Sequence, residues 1–227
     1  MSRIEWDKTG ERLYETGTDR GVLYVAEGTT YPAGVAWNGL TGVDESPSGA
    51  EANAQYADNI KYLELRSAEE FGATITAYTY PDEFEQCDGS AEPVEGMYIG
   101  QQARKRFGLS YRTLIGNDVD GNEHGYLLHL IYGATASPSQ RSYTTVNDSP
   151  EPIEFSWEIT TTPVNISGYK PVAHIRINST KADPEKLAVL ESVLYGTNAE
   201  GGSEGRTASL PLPDAVKTIL TTGQIPS

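Results

Sequence analysis

An alternation of apolar and polar residues with a period of two, broken at intervals by turn dipeptides, recurs along most of this 227-residue chain and constrains it to a mainly β fold. Ile153, Phe155, Trp157 and Ile159 alternate with Glu154, Ser156, Glu158 and Thr160, which predicts a strand with one buried and one solvated face. The same pattern sets Ala173, Ile175 and Ile177 against His174, Arg176 and Asn178, and Phe71, Ala73, Ile75 and Ala77 against Thr74, Thr76 and Tyr78. Tyr126, Leu128, Leu130 and Tyr132 repeat the spacing, and weaker runs lie at 22–26 and 60–65. Asn38-Gly39, Asp88-Gly89, Asp120-Gly121 and Ser137-Pro138 are the turn signals between them.

One helix is strongly written. Asp183 is a good N-cap, Pro184 suits the first helical position, Leu187, Leu190 and Leu194 share a face, and Gly196 supplies the stop, so a helix over 183–195 is expected to lie across a sheet. A second, shorter helix over 214–222 follows from Val216, Ile219 and Leu220. The Gly-, Ser- and Glu-rich stretch between them reads as a linker, giving a β domain over 1–196 and a flexible linker with a C-terminal arm over 197–227.

Charge is concentrated. The chain carries a formal net charge of -15, and between Thr41 and Gly100 thirteen carboxylates face only Lys61 and Arg66. The polar stretch from Gly39 to Asn59 is expected to be an inter-strand loop, longer than a compact domain normally tolerates without a functional reason. Such acidity opposes unaided nucleic-acid binding, whose affinity comes mainly from Lys and Arg displacing counterions. Arg104, Lys105 and Arg106, followed by Phe107, Tyr111 and Arg112, form a basic cluster interleaved with aromatics, better suited to pairing with carboxylates, including those of a neighbouring subunit. No stretch approaches the roughly 20 apolar residues of a membrane span, and the first residues lack a signal-peptide pattern, so synthesis and folding in a cytoplasm are expected.

Catalytic and metal signatures fail on inspection, and no enzyme, cofactor or metal is expected. Gly201 to Gly205 has the letters of a nucleophile elbow around Ser203, but no strand leads into it. Asn117 to Glu123 resembles a calcium loop, yet its glycine comes too early and His129 stands where a bidentate Glu belongs; a turn rich in Asx residues explains it more simply. His124, His129 and His174 lack metal-ligand spacing and read as packed or surface histidines. Cys87, the only cysteine, reads as a spare thiol. Many acids make chance pairs, and none is marked as a glycosidase dyad.

Several segments, taken in order, resemble the major tail protein that builds the tail tube of long, flexible-tailed bacteriophages. They are LYETGTDRGVLYV (13–25), NGLTGVDESPSGAEANAQYADNIKYLELRSAEEFGATITAYTYPDEF (38–84), GQQARKRFGLSYRTLIGND (100–118), GYLLHLIYGATASPSQRSYTTVNDSPEPIEFSWEITTTPV (125–164) and ADPEKLAVLESVLYG (182–196). The resemblance implies a tail-tube type β-sandwich or barrel with one flanking helix, assembling into stacked hexameric rings. It further implies a virion-tail location, partners in the tape measure protein, the tail terminator and the distal tail proteins, and a lumen through which DNA passes without specific binding. An acidic lumen would suit that passage, and Asp58, Glu64, Glu69 and Glu70 are expected there, with Asp44, Glu45 and Glu51 on a loop joining subunits or rings. The same subunit physics would serve a phage-derived injection apparatus. A monomeric carbohydrate-binding β-sandwich, using Trp6, Trp37 or Trp157 as stacking platforms, is the alternative from a different class.

Overall fold

The computed structural model describes residues 3–146, 148, 151–199 and 205–226. Its strands are β1 (Tyr14–Val25), β2 (Gly34–Ala36), β3 (Leu40–Glu45), β4 (Ser48–Gly49), β5 (Ala52–Ala57), β6 (Ile60–Arg66), β7 (Glu69–Glu70), β8 (Gly72–Ala77), β9 (Ala91–Val94), β10 (Met97–Ile99), β11 (Phe107–Asn117), β12 (Gly121–Ala136), β13 (Phe155–Thr161) and β14 (His174–Asn178). Two helices, α1 (Pro184–Tyr195) and α2 (Pro213–Thr222), complete it.

The principal sheet runs β2-β1-β11-β12-β13-β8-β3, with β14 also pairing β12. It rolls up. Trp37 donates its backbone N–H to Gly21 O at 2.8 Å, and a Cβ built on Gly21 would sit 3.0 Å from Leu40 Cδ2, so β3 at one end of the order returns beside β1 near the other. Inside the roll lies an aromatic core. Trp37, Phe84 and Trp157 meet with ring centroids 4.7, 5.1 and 5.8 Å apart, and Phe107 and Tyr80 pack edge-on to them.

The strands β1, β11 and β12 are buried on both faces. Leu23, Leu109 and Ile131 point into the roll, while Tyr24, Leu128, Leu130 and Tyr132 point out into a second core beneath the helices. Simple alternation therefore marks only β8 and β13, whose outer faces meet water; on β12 the run from Leu127 to Ala134 is buried without a break. Gly133 sits where β12 changes partner, pairing β14 over 127–131 and β13 over 134–136. Its φ is +60°, and a Cβ there would lie 2.3 Å from Thr162 O, so only glycine fits.

The helix α1 forms as its caps require: Asp183 accepts from the N–H groups of Glu185 and Lys186, and Leu187, Leu190 and Leu194 are buried against the sheet. The C-terminal arm packs back onto the body of the fold. Leu210, Val216 and Ile219 fill the second core, Ser209 N–H bonds Val193 O, and Tyr132 Oη donates to Pro211 O, so the helix expected over 214–222 forms as α2 and flanks the sheet beside α1. Its apolar side chains are why it folds back: exposed, they would forfeit the burial that two closed cores provide.

Candidate functional site

Residues 40–77 run out from the rolled sheet and back, and from Asp44 to Glu70 none of them is buried in a single chain. Instead of the expected loop over 39–59, they form one long β-hairpin. Its base, β3 with β8, belongs to the rolled sheet; its outer half, β4 with β7 and then β5 with β6, leaves it. The ladder is interrupted at Gly49 and Ala50, both with positive φ, where Ala50 N–H bonds Ser67 Oγ. The tip turn is Asp58-Asn59, with φ of +51° and +64°, the left-handed pair that a two-residue hairpin turn of the primed type demands. No Gly marks this turn, so the sequence pattern pointed to a loop.

The arm made by β5 and β6 has both faces in water, with apolar side chains exposed on each. Cross-strand register puts Leu63 and Leu65 on one face beside Gln55 and Asn53, and Glu64 and Arg66 on the other beside Ala54 and Ala52. Tyr56, Ile60, Tyr62 and Leu65 are all well exposed. A two-stranded ribbon with an apolar strip and nothing beneath it is marginal alone and presents contact area to a partner.

The expected split between lumen acids and loop acids does not appear as two elements, because all seven residues stand on this one hairpin. Asp44 and Glu45 are in β3, Glu51 follows β4, Asp58 is at the tip, Glu64 is in β6, and Glu69 and Glu70 make β7. Glu64 takes both cations of the segment, accepting from Lys61 and, at Oε1, from Arg66 Nη2 at 3.0 Å, and these contacts, Lys61 first, hold its carboxyl below the usual range. It is thus locally neutralised, whereas Asp58, Glu69 and Glu70 have no cationic partner among the described residues. Further acids, Asp82, Glu83, Glu85 and Glu92, line an open hollow of about 520 Å³ below the β9–β10 hairpin.

Glu45 does not belong to a free loop. Its Oε1 accepts from Tyr111 Oη at 3.0 Å and lies 3.3 Å from His129 Nδ1 and 3.6 Å from His174 Nε2. The two imidazole nitrogens are 3.2 Å apart. Pairing explains the convergence: Tyr111 is opposite His129 across β11 and β12, and Ile131 is opposite His174 across β12 and β14, which leaves His129 and His174 diagonal on one face. The rings form a row, Tyr111 on His129 at 4.5 Å and His129 on His174 at 5.3 Å, each pair nearly parallel, with Phe71 against His174 at 4.5 Å. Burial, foremost, with the neighbouring imidazole, pushes His129 down to about 4, and burial also lowers His174. Two of the three histidines expected as packed or surface residues are packed together and joined by a carboxylate; separations of 84 and 45 residues in sequence hid the group.

The basic cluster also resolves. Arg104 Nη1 donates to Asp88 Oδ1 at 3.0 Å and to Ala136 O at 3.2 Å, and Arg141 grips the other oxygen of Asp88, so the carboxylate that Arg104 meets is in its own chain. Lys105 and Arg106 remain exposed. Asn117 Oδ1 accepts from Val119 and Asp120 N–H, which makes 117–121 the Asx-rich hairpin turn expected. Ser203 lies outside the described residues. Trp37 and Trp157 are buried in the aromatic core and Trp6 is exposed far along the chain from them, so the tryptophans do not combine into a sugar-stacking platform. No helix among the described residues is long and apolar enough to cross a membrane.

No protein-family model matches the chain, and no curated protein matches it. Among solved structures it is similar to a sheath/tube terminator of PVC, an extracellular contractile injection system, in its extended state, with 9% identity and a TM-score of 0.36 over 77% of this chain and 99% of that one. At that level the likeness carries no argument about what this chain does.

Proposed function

We propose that the chain is a non-enzymatic structural subunit of a tail tube, of a phage or of an injection apparatus built on the same plan, which assembles with copies of itself into stacked hexameric rings. The observation that carries this reading is the arm: fifteen residues of ribbon from Ala52 to Arg66 whose leucines and tyrosines have nothing to cover them in one chain. A ring of identical subunits supplies the cover. Each arm meets the body of the next copy, and head-to-tail repetition of that contact closes a ring or extends a filament.

The ordered segments that resemble tail tube proteins support the same reading, and the acid surface fits it. A channel lined by unpaired carboxylates such as Asp58, Glu69 and Glu70 repels phosphate, whereas one lined by lysine or arginine would retain DNA by counterion release. Tape measure, terminator and distal tail proteins are the partners such a tube needs, and the virion tail is its location.

Sedimentation velocity over a rising concentration series tests the proposal. The expected result is growth from monomer to hexamer and longer species, lost when residues 52–66 are replaced by a short turn. A chain that stays monomeric up to the solubility limit, and also in the presence of tail-initiating proteins, would refute it.

A further inference from the structure

We propose that Glu45, His129 and His174 bind one divalent transition-metal ion of the zinc type, fastening the base of the hairpin arm to the body of the sheet. A tetrahedral ion with bonds of about 2.0–2.1 Å to imidazole nitrogen and carboxylate oxygen holds its donor atoms roughly 3.3–3.4 Å apart. The three donor atoms stand 3.2, 3.3 and 3.6 Å from one another, which is the triangular face of such a site.

The surroundings are those of a built site. His129 Nε2 lies 3.1 Å from Thr113 Oγ1; with Nδ1 facing the ion, Nε2 carries the proton and donates to that hydroxyl, which fixes the tautomer. Tyr111 Oη donates to Glu45 and orients the carboxylate. The stacked row of Tyr111, His129 and His174 prevents the imidazoles from turning away. Two nitrogens and one oxygen select a borderline ion over calcium or magnesium, which take oxygen donors. Glu45, a third exposed, marks the side from which the ion and a water as fourth ligand enter.

The placement gives the ion a purpose. Glu45 is on β3, at one end of the sheet order with β8 and β13 between it and the central β12, and β14 joins only β12. One ion therefore bridges three strands across the mouth of the roll, at the root of the arm. The assignment does not depend on what the arm contacts.

The test uses the untagged full chain, stripped with a chelator and dialysed, then titrated with Co²⁺ while its visible d–d absorption is followed. The expected result is saturation at one equivalent per chain with the intense bands of four-coordinate cobalt, displacement by Zn²⁺, and a higher thermal midpoint with Zn²⁺ present. Glu45→Gln keeps the size of the side chain and its acceptor for Tyr111, and it and His174→Gln, each removing a ligand, should each weaken Co²⁺ binding by at least the roughly 10- to 100-fold that loss of an outer-shell partner costs. His124→Gln should leave it unchanged. If His174→Gln fails to fold by circular dichroism, Glu45→Gln alone decides. Wild-type chain that takes up no stoichiometric Co²⁺, or Glu45→Gln chain that binds it as tightly as wild type, overturns the assignment.

Discussion

Replacing both leucines on the apolar face of the arm, Leu63→Thr with Leu65→Thr, should separate assembly from folding. Threonine keeps the strand preference, so the ribbon itself is retained. Leu65 is 58% and Leu63 39% exposed in the single chain. Full burial of a leucine is worth about 1.5–3 kcal/mol, so covering the exposed fractions at a contact contributes roughly 1.5–3 kcal/mol for the pair. At about 1.4 kcal/mol per decade, the variant should need about 10- to 100-fold more protein to reach the same degree of assembly in sedimentation velocity. Its thermal midpoint as a monomer should scarcely move, because surface substitutions cost within about 0.5 kcal/mol. Two outcomes refute the reasoning: assembly at the wild-type concentration, which would mean the arm is not the contact, or a loss of monomer stability comparable to a core substitution, which would mean the arm is already packed.

Other perturbations read other parts of the account. Gly133 and Gly121 share a φ of +60°, but only Gly133 faces a backbone oxygen at 2.3 Å; Gly121→Ala should cost about 1 kcal/mol and Gly133→Ala clearly more in urea denaturation. Because burial lowers His129 to about 4 from an unfolded value near 6.5, the neutral imidazole contributes stability fully present above pH 6.5 and lost as pH falls toward 4, up to about 3 kcal/mol. His174, Glu45, Arg176 and Tyr111 face the same group, so the check is comparative: in chelator, His129→Gln should flatten that part of the stability profile. Cys87, fully buried and with its thiol raised to about 12 by burial, should resist a thiol reagent in the native chain and react at once in denaturant. Assembled tubes of Asp58→Asn/Glu69→Gln/Glu70→Gln should retain DNA in low salt where wild-type tubes release it, and equal retention would remove these acids from the lumen.

Strands with one wet face were legible because their chemistry is local: the alternation at β8 and β13, and the Asp183-Pro184 start of α1, each need only their own residues. What escaped was decided elsewhere in the chain. Leu127 to Ala134 lost its period because a second core, closed by residues 210–219, covers the outer face. The outgoing strand of the arm reads as loop in the sequence because its turn, Asp58-Asn59, has no glycine and its side chains stay exposed, and the returning strand shows only as the weak run at 60–65. The histidine cluster depends on register between β12 and β14 and on a carboxylate arriving across the roll, none of which spacing along the sequence encodes.

The central claim, that this chain builds a tube from copies of itself, is tested most directly by electron microscopy of the concentrated purified protein. Six-fold rings or stacked tubes, with density for residues 52–66 reaching a neighbouring subunit, are the predicted result. Isolated single particles at every concentration, with or without the tail-initiating partners, would contradict it.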